Sequence, residues 1–419
     1  MNTLETLSTL AAAEDYDPNS MPVEKARAFI RQTLSPVCGV ERVALKCALH
    51  RVLAEPIVSP INVPSFDNSA MDGYALLFAD LHPNASTSLT RVGASFAGHP
   101  FEGKLNAGEC ARIMTGATIP EGADTVVMQE RTTEENGTVR IEAGAVSASG
   151  QNCRRAGEDI KKGDTVFRAG VRITAPMIGM LASLGITEVS VYRKLRVAFF
   201  SNGDELTPIG APLQFGKIYD SNRYALDALL TENNFIAIDL GTAPDDVQKL
   251  EEKLFVAAKN ADVVMTIGGV SVGDADYIKT ALKARGEILF WRIAMKPGRP
   301  LAFGVIDNAV FFGLPGNPVS AVVTFTQFVR DALLILQGQT LVPPLTFHAT
   351  LTRGTKKAKG RTEFQRGFCE TRDGKTVVTP DAEQGSGILS SMARANCFIV
   401  LPQDCGALPE GATVEILPI

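Results

Sequence analysis

Between residues 194 and 336 the chain alternates short apolar, β-type runs with segments of helical length, and that alternation limits the possible folds more than any other feature of its 419 residues. The β-type runs are 195–200, 236–240, 263–267, 289–293 and 310–313; helical patterns occupy 221–233, 247–259, 277–285 and 318–336. Strands that alternate with helices build a mostly parallel sheet covered on both faces. The expected fold class is therefore an α/β multidomain chain around a central, mostly parallel sheet. Ligands of such sheets gather at the carboxyl ends of the strands.

The loops at or near those ends carry the chemistry. The most telling is Thr266-Ile-Gly-Gly-Val-Ser-Val-Gly-Asp-Ala-Asp276, set between a β-type run and a helix. Without Cβ atoms, Gly268, Gly269 and Gly273 let backbone N–H groups approach an anion, and the helix N-terminus adds partial positive charge. Asp274 and Asp276 follow, and carboxylates beside a phosphate site suit a divalent cation or a ring N–H. The other loops are Asn202-Gly-Asp-Glu205, Asp245-Asp246, Lys296-Pro-Gly-Arg-Pro300 and Gly313-Leu-Pro-Gly-Asn-Pro318. Acidic loops beside basic and glycine loops point to a metal-assisted reaction on a phosphorylated, anionic substrate. Gly269-Val-Ser271-Val-Gly273 also matches a nucleophile elbow, but the only later histidine is His348, in a β-rich tail, which sets a hydrolase aside.

The flanks read differently. Residues 22–34 space Val23, Ala26, Phe29, Ile30 and Leu34 on one helical face, and 45–53 reads as a second helical piece. Short β-type runs at 90–96, 111–114, 125–129 and 138–142, punctuated by Gly and Pro, predict a small β domain, with Asp72 and Thr115 in tight turns. Thr174 is placed to cap a helix that Gly185 ends. Further β-type runs at 346–351, 363–369, 376–379, 398–401 and 413–417 predict a C-terminal β domain. The expected division is an elongated, discontinuous N-terminal domain (1–58 and 159–193), a small β domain (59–158), the α/β domain (194–340) and the β tail (341–419).

Composition closes off several classes. A formal charge of −5 gives no support for a nucleic-acid or anionic-membrane partner. Seven scattered cysteines without a C-x-x-C pair indicate neither a disulfide framework nor a zinc site, and the start lacks a basic, apolar leader. The expected location is the cytoplasm, with no membrane span.

Seven words stand in order along nearly the whole chain: Asp67-Asn-Ser-Ala-Met-Asp-Gly-Tyr-Ala75, Arg112-Ile-Met-Thr-Gly-Ala117, Gly157-Glu-Asp159, Asn202-Gly-Asp-Glu-Leu206, Gly268-Gly-Val-Ser-Val-Gly273, Met295-Lys-Pro-Gly-Arg-Pro300 and Gly313-Leu-Pro-Gly-Asn-Pro-Val-Ser320. Together they resemble the MoeA family, the molybdopterin molybdenumtransferases, which share their architecture with the E domain of gephyrin. The resemblance implies a molybdopterin-binding fold and insertion of molybdate into adenylylated molybdopterin, with Mg2+ assistance and release of AMP. It implies a homodimer whose clefts are built from both chains, with the adenylyltransferase that makes the substrate as a further partner.

Carried onto this sequence, Glu205 and Asp245 would hold Mg2+. Asp276 and the turn of Gly268, Gly269, Ser271, Gly273 and Asp274 would hold the pterin phosphate. Lys296 and Arg299 would face the oxyanion beside Pro315, Asn317 and Pro318. Arg361 and Ser386 would be the tail domain's share of the molybdate site, and Asp72, Thr115 and Asp159 would complete the cleft with Asp276 as its catalytic groups. Arg299 stands where the commoner pattern has lysine, and Asp274 where it has glutamate; an arginine fork meets an oxyanion differently from an ammonium point charge. Two other roles compete. The adenylyltransferase resembles the α/β part but lacks the flanking domains, and a gephyrin-like peptide scaffold has no need of the site loops.

Overall fold

A computed structural model describes residues 17, 19–269, 277–283 and 286–419. Its central sheet has six strands in the order Ile236–Ala243, Arg196–Asn202, Val263–Ile267, Ala309–Leu314, Pro300–Ile306, Gly286–Arg292. The first four run parallel, and the last two form an antiparallel edge. Successive strand residues face opposite sides, and both sides are covered. Val197, Phe199, Val263 and Met265 meet helices Ser221–Glu232 and Pro318–Leu336, while Ala198, Phe200 and Val264 meet Val247–Asn260 and Tyr277–Lys283. Every residue of Val263–Ile267 is buried, as a doubly covered strand requires. Truncating Phe199, which has no exposed surface, would cost about 3–5 kcal/mol.

Pro318–Leu336 has the length and apolarity to cross a membrane, but Val319, Val323, Val329 and Leu333 lie in the sheet's core with no exposed surface. It contains a π turn at Phe325–Val329. The strand Pro300–Ile306 was not expected from the sequence. Its leading proline and central Gly304 weaken the β pattern, yet it pairs back through the two residues after Ile306, with Asp307 at φ 50°. Gly304 is required there, since a Cβ would lie 2.2 Å from the carbonyl oxygen of Glu287 on the neighbouring strand.

Helix Val23–Thr33 packs into this same core, where Phe29 meets Trp291 and Phe303 edge-on at 5.2 and 6.4 Å between centroids. Beyond it, strand Val40–Ala44 pairs with Glu188–Tyr192, and Ile57–Val58 pairs with Thr165–Phe167. Leu53, Ile173, Leu181 and Val191 form the small core between them. The expected helix at 45–53 is only one 3-10 turn, Leu45–Cys47. His50 then takes φ 63°, and Val52 and Leu53 leave helical geometry to bridge Arg172 and Val191, where burial outweighs local propensity. Helix Ala175–Ser183 starts after Thr174, whose hydroxyl makes no capping bond, and it ends before Gly185 at φ 73°.

The small β unit is a six-stranded sheet in the order Thr125–Met128, Gly73–Leu76, Glu109–Ile113, Thr87–Ser95, Thr138–Ile141, Thr132–Glu135. At the C-terminus five strands close on themselves, because Thr362–Arg372 pairs both with Lys375–Pro380 and with Cys397–Leu401. This barrel accepts one more short strand, Met295–Lys296, alongside Thr362 and Glu363. Two residues that connect strands Gly286–Arg292 and Pro300–Ile306 of the central sheet are thereby bonded directly to the barrel. All seven cysteines are free.

Candidate functional site

The chain leaves strand Arg196–Asn202 toward Ile236–Ala243 on one side, and it leaves the neighbouring strand Val263–Ile267 toward Gly286–Arg292 on the other. The two connections therefore diverge between the carboxyl ends of these strands, which is where open α/β sheets leave a crevice. A cleft of about 1130 Å³ opens there and is walled on its far side by the barrel. At its floor, Gly268 continues the ladder by donating to Leu314 O at 3.0 Å. Gly268 and Gly269 take φ 95° and 66°; a Cβ on either would come 2.8 Å from an atom of Asn202, so this turn admits only glycine. Ser271, Gly273, Asp274 and Asp276 lie outside the described residues.

Charges are segregated around the cleft. Glu205 and Asp245 line it from the loops after the first two parallel strands, whereas Lys296, Arg299 and Arg361 line it from the barrel side. Asn202, the last residue of its strand and 7% exposed, donates from Nδ2 to Asp245 Oδ1 at 3.2 Å, while its Oδ1 has no partner among the described residues. Asp245 N in turn donates to Asp204 Oδ1 at 3.3 Å. Among the described residues no cluster of three His, Cys, Asp or Glu side chains surrounds a metal position. Two carboxylates and an orphaned buried carbonyl nevertheless fit a hard cation such as Mg2+, which keeps waters and substrate oxygens for its remaining ligands. Asp220 also borders the cleft but is consumed structurally: it accepts from Ser201 Oγ at 3.0 Å, caps helix Ser221–Glu232 and pairs with Arg223 at 3.1 Å.

The basic wall depends on the barrel. Lys296 Nζ lies 3.8 Å from Glu363 Oε1, a buried carboxylate that also accepts from Gln365 Nε2 at 2.8 Å. The Lys296 side chain is nonetheless 47% exposed and free to meet a ligand. Among the described residues Arg299 donates to the carbonyl of Asn19, at 3.2 Å, and neither it nor Arg361 makes an ion pair. Pro315, Asn317 and Pro318 border the same space, and Asn222 Nδ2 ties their loop by donating to Gly316 O at 2.6 Å. Ser386 completes the wall from the barrel.

Asp72, Thr115 and Asp159 are not among the residues lining this cleft. Asp72 Oδ1 accepts from both the backbone N and the hydroxyl of Thr115, each at 2.7 Å, on the small β sheet. Those two donors hold the Asp72 carboxyl below the usual carboxylate range. Asp159 is exposed, with its backbone N bonded to Val63 O. Within one chain, then, the acidic and basic walls meet and the small β unit stands apart. Asn202 and Glu363 were missed as site residues. Asn202 opens one of the chemistry-bearing loops but carries no assigned role there, and Glu363 opens a β-type run.

Three regions of one known family match in order along the chain. The MoeA N-terminal region (domain I and II) matches residues 21–185, a probable molybdopterin binding domain matches 198–334, and the MoeA C-terminal region (domain IV) matches 348–419. A molybdopterin molybdenumtransferase from Haemophilus influenzae is 47% identical over 401 residues, covering 95% of this chain and 98% of its own. One from Bacillus subtilis is 35% identical over 388 residues, covering 90% of each. The crystal structure of a molybdopterin biosynthesis MoeA protein from Pyrococcus horikoshii OT3 matches with a TM-score of 0.83 at 30% identity, over 96% of this chain and 100% of that one. With its three regions matched in order and its fold shared from the first helix to the barrel, this chain belongs to the MoeA family of molybdenum cofactor biosynthesis.

Proposed function

We propose that the protein inserts molybdate into adenylylated molybdopterin, releasing AMP and leaving the molybdenum cofactor. The single observation that carries this reading is the segregated charge of one cleft, with Glu205 and Asp245 facing Lys296, Arg299 and Arg361 across a glycine turn. A tetrahedral dianion is held by fixed cations and N–H or O–H donors, which the barrel side provides through Lys296, Arg361 and Ser386. The glycine turn takes the pterin phosphate. Glu205, Asp245 and the free Oδ1 of Asn202 would hold Mg2+, which when bound neutralises charge on the leaving phosphate.

In this reading the working unit is a cytoplasmic homodimer. Asp72, Thr115 and Asp159 reach the cleft from the second copy, because in their own chain none of them lines it. The Asp72 carboxyl is ionised there at neutral pH and takes up a proton as one of the cleft's catalytic groups, while the two Thr115 donors fix its direction at the expense of basicity.

The test is incubation of the purified protein with adenylylated molybdopterin, molybdate and Mg2+ while AMP is followed. AMP release that requires molybdate supports the reading. Release or consumption of pyrophosphate instead would assign the chain to the adenylyl-transfer step.

A further inference from the structure

We propose that Arg366 is a positioning residue for oxyanion binding: from inside the barrel it holds the loop 381–387 in the shape that presents Ser386 to the cleft. The inference rests on the oxyanion site proposed above. Arg366 lies on strand Thr362–Arg372 and is 1% exposed. Its Nε donates to Ser391 Oγ at 3.1 Å, and its Nη2 donates to the carbonyl oxygens of Glu383 and Gly385 at 3.1 and 3.0 Å. Its backbone N donates to Gln384 Oε1, and its carbonyl accepts from Gln384 Nε2, both at 2.9 Å, and from Asp381 N at 2.8 Å. Four residues of the loop therefore hang on one residue of the strand. From the other side, Val319 N donates to Ser386 O at 3.1 Å.

The loop has no regular backbone structure of its own, so these bonds define its course. Stability alone does not account for an arginine here. The buried guanidinium has no carboxylate in ion-pair contact among the described residues, and the nearby Asp381 is engaged by Arg394 at 3.1 Å. An apolar side chain of similar volume would fill the space without desolvating a charge. What arginine alone supplies is a planar fork that meets the two carbonyls and the Ser391 hydroxyl in fixed directions. Lysine keeps the charge and loses that geometry. The same strand thus serves the oxyanion side in three ways: Arg361 at its start lines the cleft, Glu363 steadies Lys296, and Arg366 steadies the Ser386 loop.

The test uses the full chain with Arg366→Lys, Arg366→Met, Ser391→Ala and, as reference, Ser386→Ala. Thermal stability, nucleotide binding, calorimetric binding of molybdate and tungstate, and the molybdate dependence of AMP release are measured for each. Arg366→Lys should fold, bind nucleotide within about twofold of wild type, and raise the half-saturating molybdate about tenfold with little change in maximal rate. Calorimetric affinity should fall in parallel. Ser391→Ala removes one acceptor and should give a smaller rise, about threefold, which keeps the proposal testable if both Arg366 variants fail to fold. Normal molybdate dependence in every folded Arg366 and Ser391 variant, with Ser386→Ala impaired, overturns the role of Arg366 alone. If Ser386→Ala also behaves as wild type, the oxyanion site itself is misplaced and the inference falls with it.

Discussion

The cleft and the Asp72 turn are two polar sites built in opposite ways. In the cleft, Asn202, Gly268 and Leu314 stand at the ends of buried parallel strands, so the sheet itself fixes where the loops of Glu205, Asp245 and Asn317 begin. The barrel is bonded in through Met295–Lys296, and the basic wall arrives with it. The Asp72 turn is self-sufficient by contrast: one carboxylate and both donors of Thr115 satisfy each other on a separate six-stranded sheet. The binding surface is assembled within one chain, whereas Asp72 does not line the cleft of its own chain, which is why the proposed reading brings it in from another copy.

The largest effect should come from the isolated half of that pair. Asp72→Ala should lower turnover by more than about a hundredfold, as expected for a proton acceptor, while nucleotide and molybdate binding remain close to wild type. Equal loss of binding would place Asp72 in the binding surface and dissolve the contrast. Next in size, Lys296→Ala and Arg361→Ala should each raise the molybdate requirement by roughly ten- to a hundredfold, the worth of a charge-assisted contact, with nucleotide affinity preserved. Weakened nucleotide binding with ordinary molybdate use would assign those cations to the phosphate instead.

Smaller effects sharpen the structural side. Gly268→Ala should destabilise the fold by about 1–3 kcal/mol, read from the denaturation midpoint, because it combines φ 95° with a Cβ 2.8 Å from the Asn202 carbonyl oxygen. Unchanged stability would mean the turn is looser than its contacts indicate. Least of all, Thr115→Val should move the Asp72 carboxyl titration part of the way back up, since it removes the hydroxyl donor and keeps the backbone one. The sign follows from the depressed value: the stabilising interaction is present above the ordinary carboxylate range and is lost as pH falls through the lower, folded value. Carbon-detected NMR of the Asp72 carboxyl reads this directly, and an unmoved titration would remove Thr115 as its holder.

The legible parts of the fold were those with strong local signals. Val263–Ile267 is a run of β-branched and apolar residues between an acidic start and glycines, and its bounds emerge unchanged in the structure. The loops of Glu205, Gly268, Lys296 and Asn317 were each recognisable because sheet geometry sends strand ends to one place. What stayed hidden depends on distant partners. Leu45–Leu53 could not reveal that Leu53 would be drawn into a core with Ile173 and Val191, or that Val52 would bridge Arg172. Pro300–Ile306 hid its pairing behind a proline and a glycine. Arg366 lies inside the β-type run 363–369 with no local signal to mark it, and its meaning lies in carbonyls 17 to 19 residues further on.

The measurement that bears most directly on the shared cleft is a verified heterodimer of Asp72→Ala and Asp245→Ala chains, each inactive on its own. If each cleft takes Asp72 from one copy and Asp245 from the other, one cleft of the heterodimer carries both lesions and the other carries neither. The pair should then recover about half of wild-type activity per dimer, by counting sites in a two-fold assembly. A heterodimer as inactive as its parents would show that each chain builds its cleft alone, and would contradict the account.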